Sequence, residues 1–208
     1  MKCPLCNHPS NHFYSQKSRE FYFCTKCFSV FLDDKNYISE TEERKHYEMH
    51  NNDVNDIRYQ SFVSPIVDSI LNDFKKTDKG LDFGSGTGPV ITKMLRDNDY
   101  DIQEYDPFFA DNSETLKQKY DYIACCEVIE HFHHPKKEFE LLFNLLKPGG
   151  KLYCKTDLFS ESKNFDSWGY KNDPTHVFFY HPKTMTWIQE NIGFSNVKID
   201  GRLIVFER

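Results

Sequence analysis

The fold is decided by residues 80–90, which read GLDFGSGTGPV. An apolar strand runs here into a loop with three glycines, and glycine lets a backbone approach a bound ligand closely. Pro89 suits the first turn of a helix that follows the loop. The stretch therefore predicts a cofactor loop at the carboxyl end of the first strand of a parallel sheet.

Two other kinds of glycine-rich loop are excluded by the same residues. A dinucleotide-binding G-x-G-x-x-G pattern that started at Gly84 would need its last glycine at Pro89. A phosphate-binding loop would need Gly-Lys-Ser or Gly-Lys-Thr, and neither follows. The remaining alternative is a tight strand-to-helix turn without a ligand, and the segments that follow count against it.

The next segments continue the pattern of an alternating α/β domain. Residues 101–107 predict a second strand that ends at Asp106, where a carboxylate can accept both hydroxyls of a ribose. Residues 120–131 predict a buried strand that runs into a polar loop. A helix over 135–146 and a strand over 151–156 follow, separated by a Lys-Pro-Gly-Gly turn.

In this order the segments resemble the class I S-adenosylmethionine-dependent methyltransferases, over residues 80–208. The motifs that carry the resemblance are residues 81–88, 105–107, 126–131 and 146–150. The resemblance implies a doubly wound, mostly parallel, Rossmann-like sheet flanked by helices. It also implies transfer of a methyl group from S-adenosylmethionine, in a domain similar to that of the ubiquinone-pathway O-methyltransferases.

The resemblance also assigns cofactor-binding residues. It implies that the glycine loop binds the methionine end of the cofactor and that Asp106 holds its ribose. The full expected set is Asp82, Phe83, Gly84, Ser85, Gly86, Asp106, Pro107, Cys126 and Glu127. Only 15 residues, 107–121, separate the second strand motif from the fourth strand, so the family's third strand is shortened or absent. Asp111 is the candidate for the family's adenine-binding acid.

A polar cluster beside the cofactor loop carries the expected chemistry. Glu127, Glu130 and His131 share one loop, and His176 lies in a second polar segment. This set resembles the metal sites of the small-RNA 2′-O-methyltransferases and the ubiquinone-pathway O-methyltransferases. Two carboxylates and two imidazoles could hold a divalent cation that lowers the pKa of an acceptor hydroxyl. The alternative is metal-free, with His131 or His176 as general base or substrate positioner beside Glu130.

Four cysteines near the N-terminus form two C-x-x-C pairs, Cys3 with Cys6 and Cys24 with Cys27. In a reducing compartment this spacing predicts a structural Zn(Cys)4 site, because each pair supplies two thiolates to one metal. Aromatic residues between the pairs alternate with polar ones, which predicts the strands of a small ribbon. A redox dithiol or a disulfide pair is the alternative.

Length allows one full domain and an accessory module, since the chain has 208 residues. We expect a zinc ribbon over 1–32, a helical connector over 33–76 and the methyltransferase domain over 77–208. In the connector, Ser39 and Glu42 predict a capping box, and Ser64 with Pro65 predicts the start of a second helix. The connector residues that are candidates for a lid over the cofactor and acceptor are Tyr47, His50, Asn51, Asn52, Arg58 and Tyr59. The alternative is that they only join the two modules.

Net charge and hydropathy limit the classes of partner that we expect for this protein. The formal net charge is −6, which disfavours a general nucleic-acid coat. The apolar runs are far shorter than the roughly 20 residues that span a bilayer, so we expect a cytoplasmic protein with no membrane segment. A small-molecule acceptor methylated on oxygen is favoured. RNA methylation directed by the ribbon and a non-catalytic cofactor-binding scaffold are the alternatives.

Overall fold

The computed structural model describes residues 1–49 and 52–208, which contain two sheets and five α-helices. The strands are β1 (Asn11–Gln16), β2 (Arg19–Phe23), β3 (Val30–Leu32), β4 (Lys79–Phe83), β5 (Asp101–Tyr105), β6 (Tyr120–Cys126), β7 (Leu146–Lys155), β8 (Phe178–Phe179), β9 (Asn196–Asp200) and β10 (Leu203–Glu207). The helices are α1 (Glu40–Glu48), α2 (Ile57–Asp73), α3 (Val90–Asp97), α4 (Pro135–Leu145) and α5 (Pro182–Ile188).

The larger sheet has the order β5-β4-β6-β7-β10-β9. Its first four strands are parallel, whereas β10 runs antiparallel to both β7 and β9. The strand order reverses beside β4, so the carboxyl ends of β4, β5 and β6 form the crevice in which ligands bind in such sheets. Between β5 and β6 there are an isolated β-bridge from Asp106 to Ala110 and a short 3-10 turn over Thr115–Lys117, in place of the third strand that the resemblance implies. This architecture confirms the predicted fold class.

Helices cover both faces of this sheet because its strands are apolar on both sides. Tyr122 and Ala124 of β6 pack with α2 and α3, while Ile123 and Cys125 pack with α4 and α5. All four side chains are fully buried. Within the described residues, none of the helices combines the length and the apolar character needed to cross a bilayer.

The predicted start of α2 at Ser64 and Pro65 is wrong. The helix begins at Ile57, where the Asp56 carboxylate accepts a hydrogen bond from the Arg58 amide at 2.8 Å. Pro65 lies inside the helix and has no N–H for the carbonyl of Ser61. The Ser64 hydroxyl donates to that carbonyl at 3.1 Å instead. The residue that resembles an N-cap in the sequence therefore satisfies a carbonyl inside the helix.

The predicted capping box of α1 is confirmed. The Ser39 hydroxyl accepts from the Glu42 amide at 3.4 Å, and the Glu42 carboxylate accepts from the Ser39 amide at 2.9 Å. Both amides are therefore hydrogen-bonded at the helix start, and the Glu42 amide also donates to the Ser39 carbonyl at 2.9 Å.

The smaller sheet joins the N-terminal ribbon to the rest of the chain. Its order is β1-β2-β3-β8, and β8 pairs with β3 through Val30 opposite Phe179 and Phe31 opposite Phe178. The ribbon also shares one apolar cluster with residues 157–180, called the insertion below. In this cluster Phe165 contacts both Phe21 and Phe179 edge-on. The ribbon strands thus pack as a layer on the main domain, and the bounds of three separate domains stay a prediction.

Candidate active site and metal centres

The glycine loop after β4 has the close-approach geometry expected of a ligand cradle. Gly84 and Gly86 have φ of 77° and 65°, which favours glycine over other residues. A Cβ on Gly84 would overlap the methyl groups of Val128. The Ser85 hydroxyl is buried and has no hydrogen-bond partner among the described residues. A buried polar atom without a partner is costly, and it marks a place where a ligand group fits.

The strand that leads into this loop carries a buried carboxyl group. Asp82 is 4% exposed and accepts a hydrogen bond from the Thr92 hydroxyl at 2.9 Å. Burial raises the pKa of Asp82 to about 7, because the charged form loses its hydration. Phe83 is buried in the core, where its ring lies 5.3 Å from that of Tyr105 and 6.3 Å from that of Phe132.

Asp106 ties the glycine loop to the end of β5. Its carboxylate accepts from the backbone amides of Gly86 at 3.0 Å, Phe108 at 2.8 Å and Phe109 at 3.1 Å. Pro107 is exposed beside it. The proposed ribose acid is therefore fixed in place by three donors.

Two other predicted cofactor residues have contrasting positions. Cys126 is half-buried at the end of β6, against the cluster formed by α2 and α3. Asp111 is exposed and lines a shallow depression with Arg96 and Glu104 beside the edge strand β5. The short β5–β6 connection leaves that edge open, and among the described residues Asp111 has no hydrogen bond or ion pair that marks it as an adenine ligand.

Three of the four predicted cluster residues come together beyond β6. Glu130, His131 and His176 each offer one ligand atom, and these atoms lie within 4.8 Å of one another. Glu130 is fully buried, and its carboxylate is 3.9 Å from His176 Nε2. Glu130 and His131 come from a 3-10 turn over Ile129–His131, while His176 ends a loop that precedes β8.

Both histidines are held in the same tautomer. His131 Nδ1 lies 3.1 Å from the Thr175 carbonyl, and His176 Nδ1 lies 2.7 Å from the Tyr170 carbonyl. A carbonyl only accepts hydrogen bonds, so each Nδ1 carries the proton and each Nε2 keeps its lone pair. Burial lowers the pKa of His131 and lowers that of His176 to about 3, which keeps both rings neutral.

Glu127 lies apart from this cluster. Its two carboxylate oxygens are 2.8 and 2.6 Å from Arg202 Nη2, and one of them accepts from the Tyr170 hydroxyl at 3.2 Å. The same hydroxyl also contacts the Glu130 carboxylate. Burial raises the pKa of each glutamate to about 7, and Glu130 adds repulsion at Glu127. The structure thus gathers three of the four predicted ligands and pairs the fourth with an arginine.

Sequence reasoning missed two residues of this arrangement. Arg202 lies in the turn between β9 and β10, 75 residues from its partner Glu127, and no local motif marks it. Tyr170 lies within the polar segment that contains His176, but nothing in the sequence separates its role from those of its neighbours. Only the tertiary fold brings these side chains together.

The connector covers the cluster and the glycine loop. Tyr47 of α1 packs edge-on against His131, with ring centroids 5.4 Å apart, and also contacts Phe108. Asn52 lies on the glycine loop, since a Cβ added at Gly88 would overlap its backbone.

The other residues expected in the lid differ in exposure. Tyr59 is half-buried, whereas Arg58 is exposed and paired with Asp56. His50 and Asn51 lie outside the described residues.

The four N-terminal cysteines form a second cluster. Their sulfur atoms lie within 4.8 Å of one another, with 3.6 Å between Cys3 and Cys27 and 3.4 Å between Cys6 and Cys24. A tetrahedral zinc with Zn–S bonds of about 2.3 Å separates its sulfurs by about 3.8 Å. A disulfide needs about 2.05 Å, so the disulfide alternative does not fit these distances.

Each cysteine pair sits on the same kind of turn. The Asn7 amide donates to the Cys3 carbonyl at 2.9 Å, and the Phe28 amide donates to the Cys24 carbonyl at 2.8 Å. Asn7 and Phe28 have φ of 58° and 62°, which turns the chain so that both sulfurs of a pair point the same way. The two turns fit the donor set of a structural zinc site.

A comparison with protein families matches these elements to one of them. The model of the methyltransferase domain family matches residues 56–199, from the start of α2 to β9. The chain belongs to this methyltransferase domain family. The match includes the glycine loop, Asp106 and the Glu130–His131–His176 cluster, and it confirms the resemblance to class I S-adenosylmethionine-dependent methyltransferases.

Curated relatives named ubiquinone biosynthesis O-methyltransferase include two bacterial proteins. The protein from Coxiella burnetii (strain Dugway 5J108-111) is 29% identical over 97 residues, covering 40% of this chain and 40% of the relative. The protein from Pseudomonas savastanoi pv. phaseolicola (strain 1448A / Race 6) is 28% identical over 82 residues, covering 38% and 34%. The chain thus covers about two fifths or less of the length of each of these relatives.

Solved structures share the fold. An S-adenosylmethionine-dependent methyltransferase from Archaeoglobus fulgidus has a TM-score of 0.56 at 18% identity, covering 72% of this chain and 94% of the other. Human N-acetylserotonin methyltransferase in complex with S-adenosylmethionine has a TM-score of 0.53 at 15% identity, covering 82% and 56%. At these identities the likeness establishes the fold of the methyltransferase domain.

Proposed function

We propose that this protein transfers a methyl group from S-adenosylmethionine to an oxygen atom of a small-molecule acceptor. The observation that carries the proposal is the Glu130–His131–His176 cluster at the same sheet edge as the glycine loop. Carboxyl ends of neighbouring parallel strands form one crevice, so a cofactor and an acceptor can meet there. The names of the two curated relatives support oxygen as the methylated atom.

The cofactor fits the residues after β4 and β5. The Gly84–Gly86 backbone and the unpartnered Ser85 hydroxyl would hold its methionine end. A carboxylate offers about four lone-pair sites, so Asp106 keeps one for a ribose hydroxyl beside its three backbone donors. When bound, S-adenosylmethionine supplies an electrophilic methyl group. The protein's share of the reaction is then mainly to align the acceptor and to exclude water.

We further propose that Glu130, His131 and His176 bind a divalent cation. Each histidine has its Nδ1 proton on a backbone carbonyl, which is the usual support for a metal-bound imidazole. One carboxylate and two Nε2 lone pairs on a single side suit a cation that lowers the pKa of an acceptor hydroxyl. Without a cation, the neutral Nε2 atoms are the groups able to take the hydroxyl proton.

The cysteine cluster is proposed to hold a structural zinc ion. The distances between its sulfurs and its paired turns support four-thiolate coordination with no open position. Such a site serves folding and leaves no place for an acceptor. The proposed zinc is therefore separate from the cation at the Glu130 cluster.

Methyl transfer from radiolabelled S-adenosylmethionine to a panel of phenols, catechols and alcohols tests the proposed function. We expect label in at least one hydroxyl compound and none in its O-methylated counterpart. Label found in RNA, or in no acceptor at all, would overturn the small-molecule proposal. The comparison of His176→Ala with His134→Ala, an exposed histidine, tests the cluster, and only the first should abolish transfer.

Metal binding is tested separately with the same two variants. Wild type and His134→Ala should hold one zinc per chain and take up one Mn²⁺ in the presence of S-adenosylhomocysteine. His176→Ala should keep the zinc and lose the Mn²⁺. Equal Mn²⁺ uptake by all three proteins, or uptake by none, would leave the metal-free general base as the role of the cluster.

A further inference from the structure

The loop over residues 170–176, called the histidine loop below, sets the orientation of both cluster imidazoles. It carries His176 itself and the Tyr170 hydroxyl that contacts Glu130. Its carbonyls at Tyr170 and Thr175 also accept the Nδ1 protons of His176 and His131. A displacement of this loop would therefore move one cluster histidine and release the other.

One side chain of the ribbon holds this loop. Arg19, the first residue of β2, donates from Nη1 to the Lys171 carbonyl at 2.7 Å. Its Nη2 lies 3.2 Å from the Asp173 carbonyl and 3.1 Å from the His176 carbonyl. The planar guanidinium presents several donors in a fixed fork, so it can satisfy three carbonyls at once. Lysine has a single nitrogen and cannot reproduce this contact.

The surroundings of Arg19 keep the fork in place. The guanidinium lies 5.2 Å from the centre of the Phe21 ring, and the residue is half-buried. On either side, the Gln16 side chain donates to that of Asn172 at 3.0 Å, and the Leu32 amide donates to the Val177 carbonyl at 2.8 Å. The ribbon thus follows the histidine loop along its length, with Arg19 in the middle.

A recognition role for Arg19 is disfavoured by the same contacts. An arginine that grips nucleic-acid phosphates presents its guanidinium to solvent. Here the donors are directed at three carbonyls of the protein's own loop. The positive charge of Arg19 is therefore committed to a contact within the protein.

We propose that Arg19 is a positioning residue for methyl transfer, through which the ribbon holds the histidine loop and thereby orients His131 and His176. This rests on the proposed function for its effect on catalysis, but the orientation itself can be measured without turnover. In this proposal the ribbon holds the histidine loop in position and does not contact the acceptor. The cysteine cluster flanks the β1–β2 hairpin from which Arg19 extends.

The experiment compares Arg19→Met, which keeps an apolar stem, with Arg19→Lys and with the control Lys17→Asn. Lys17 lies in the same hairpin, is exposed, and has a φ of 56° that asparagine tolerates. Each protein is labelled with ¹⁵N-histidine, and the ring tautomers are read by NMR at pH 7.5. Signals of His131 and His176, among nine histidines, are assigned with His131→Gln and His176→Gln.

Wild type and Lys17→Asn should show a single Nδ1–H tautomer at both positions. Arg19→Met should show a mixture at both, with the histidines outside the cluster unchanged. Its kcat should fall about tenfold or more, as misplaced reacting groups do, while KM for S-adenosylmethionine stays within about twofold because the glycine loop is untouched. Arg19→Lys should have a kcat and tautomer populations between those of wild type and Arg19→Met.

A folded Arg19→Met protein with wild-type tautomers and wild-type kcat would overturn the proposal. If Arg19→Met does not fold, Arg19→Lys carries the test, and wild-type tautomers in that variant would overturn it equally. If the wild-type protein transfers no methyl group, the proposed function fails, yet the tautomer comparison still decides whether Arg19 orients the histidines.

Discussion

Gly84 is required in the glycine loop for two reasons, its backbone conformation and the space around its Cα. It has a φ of 77°, and a Cβ there would overlap the Val128 side chain. Gly149 has the same φ of 77°, but a Cβ added there would meet nothing within 4 Å. The pair therefore separates the cost of a left-handed backbone from the cost of a steric clash.

We predict that Gly84→Ala destabilises the protein more than Gly149→Ala does. Both should lose about 1 kcal/mol to backbone strain. Gly84→Ala should lose a further 1–3 kcal/mol, roughly the cost of overpacking, and should bind S-adenosylhomocysteine more weakly. Urea unfolding and calorimetry measure the two effects. Equal losses of stability in both variants would show that the contact with Val128 is easily relieved.

Asp82 links burial to the pH dependence of stability. Its pKa in the folded protein is about 7, above the roughly 3.9 of an exposed aspartate. Between these values the folded protein keeps a proton that the unfolded chain has released. Its contribution to the free energy of unfolding therefore falls as pH rises through this window, by up to about 1.4 kcal/mol per pH unit.

We predict that Asp82→Asn removes this contribution. The variant should gain stability relative to wild type as the pH rises from 4.5 to 7, and the difference should level off above 7. Urea unfolding at several pH values measures it, with the exposed Asp68→Asn as control. A difference that does not vary with pH would show that Asp82 is ionised throughout.

At the scale of elements, α1 lies over the cluster. Tyr47 contacts His131 and Phe108 through its ring and donates to Glu43 through its hydroxyl. His46 contacts Asp173 of the histidine loop at 3.1 Å. The helix therefore bears on both the cluster and the loop that orients it.

We predict that Tyr47→Ala lowers kcat/KM for the acceptor about tenfold or more, because opening of the predicted lid would admit water to the site. Tyr47→Phe keeps the ring contacts and loses only the hydroxyl, so it should stay within about threefold of wild type. Steady-state kinetics measure both. An equal decrease of kcat/KM in Tyr47→Phe would show that the hydroxyl and its hydrogen bonds, and not the ring, cause the effect.

Elements also show where sequence reasoning succeeds. Residues 80–131 hold local signals, namely glycines, strand-end acids and apolar runs, and these predict β4, β5, β6 and the residues Glu130 and His131 that follow β6. The predicted start of α2 is wrong because Ser64 and Pro65 resemble a helix cap, while the packing of α2 extends upstream of them. Contacts such as Arg202 with Glu127, or β3 with β8, join distant segments and leave no local pattern.

At the scale of the whole molecule, the ribbon and the main domain share a core. Strand β3 of the ribbon pairs with β8, and Phe165 of the insertion contacts Phe21 of β2. Loss of the proposed zinc would therefore loosen more than the first 32 residues. The effect should reach the active site through the small sheet.

We predict that Cys24→Ala loses the zinc and lowers both stability and methyl transfer. The control is Cys125→Ala, a buried cysteine outside the cluster, which should cost only about 1 kcal/mol, as a typical point substitution does. Zinc analysis and thermal unfolding measure the outcome. A structural zinc at this cluster would be contradicted if Cys24→Ala kept one zinc per chain. It would also be contradicted if Cys24→Ala unfolded at the same temperature as Cys125→Ala.

The central claim, that the crevice beyond β4 and β5 takes S-adenosylmethionine, is tested most directly by calorimetry with S-adenosylhomocysteine. The account predicts one site per chain, with affinity at least about tenfold weaker in Asp106→Ala, since a ribose acid and the anchor of the Gly86 amide are lost together. The exposed Asp111→Ala should bind as wild type does. Absence of binding by the folded wild-type protein, or equal affinity in Asp106→Ala, would contradict it.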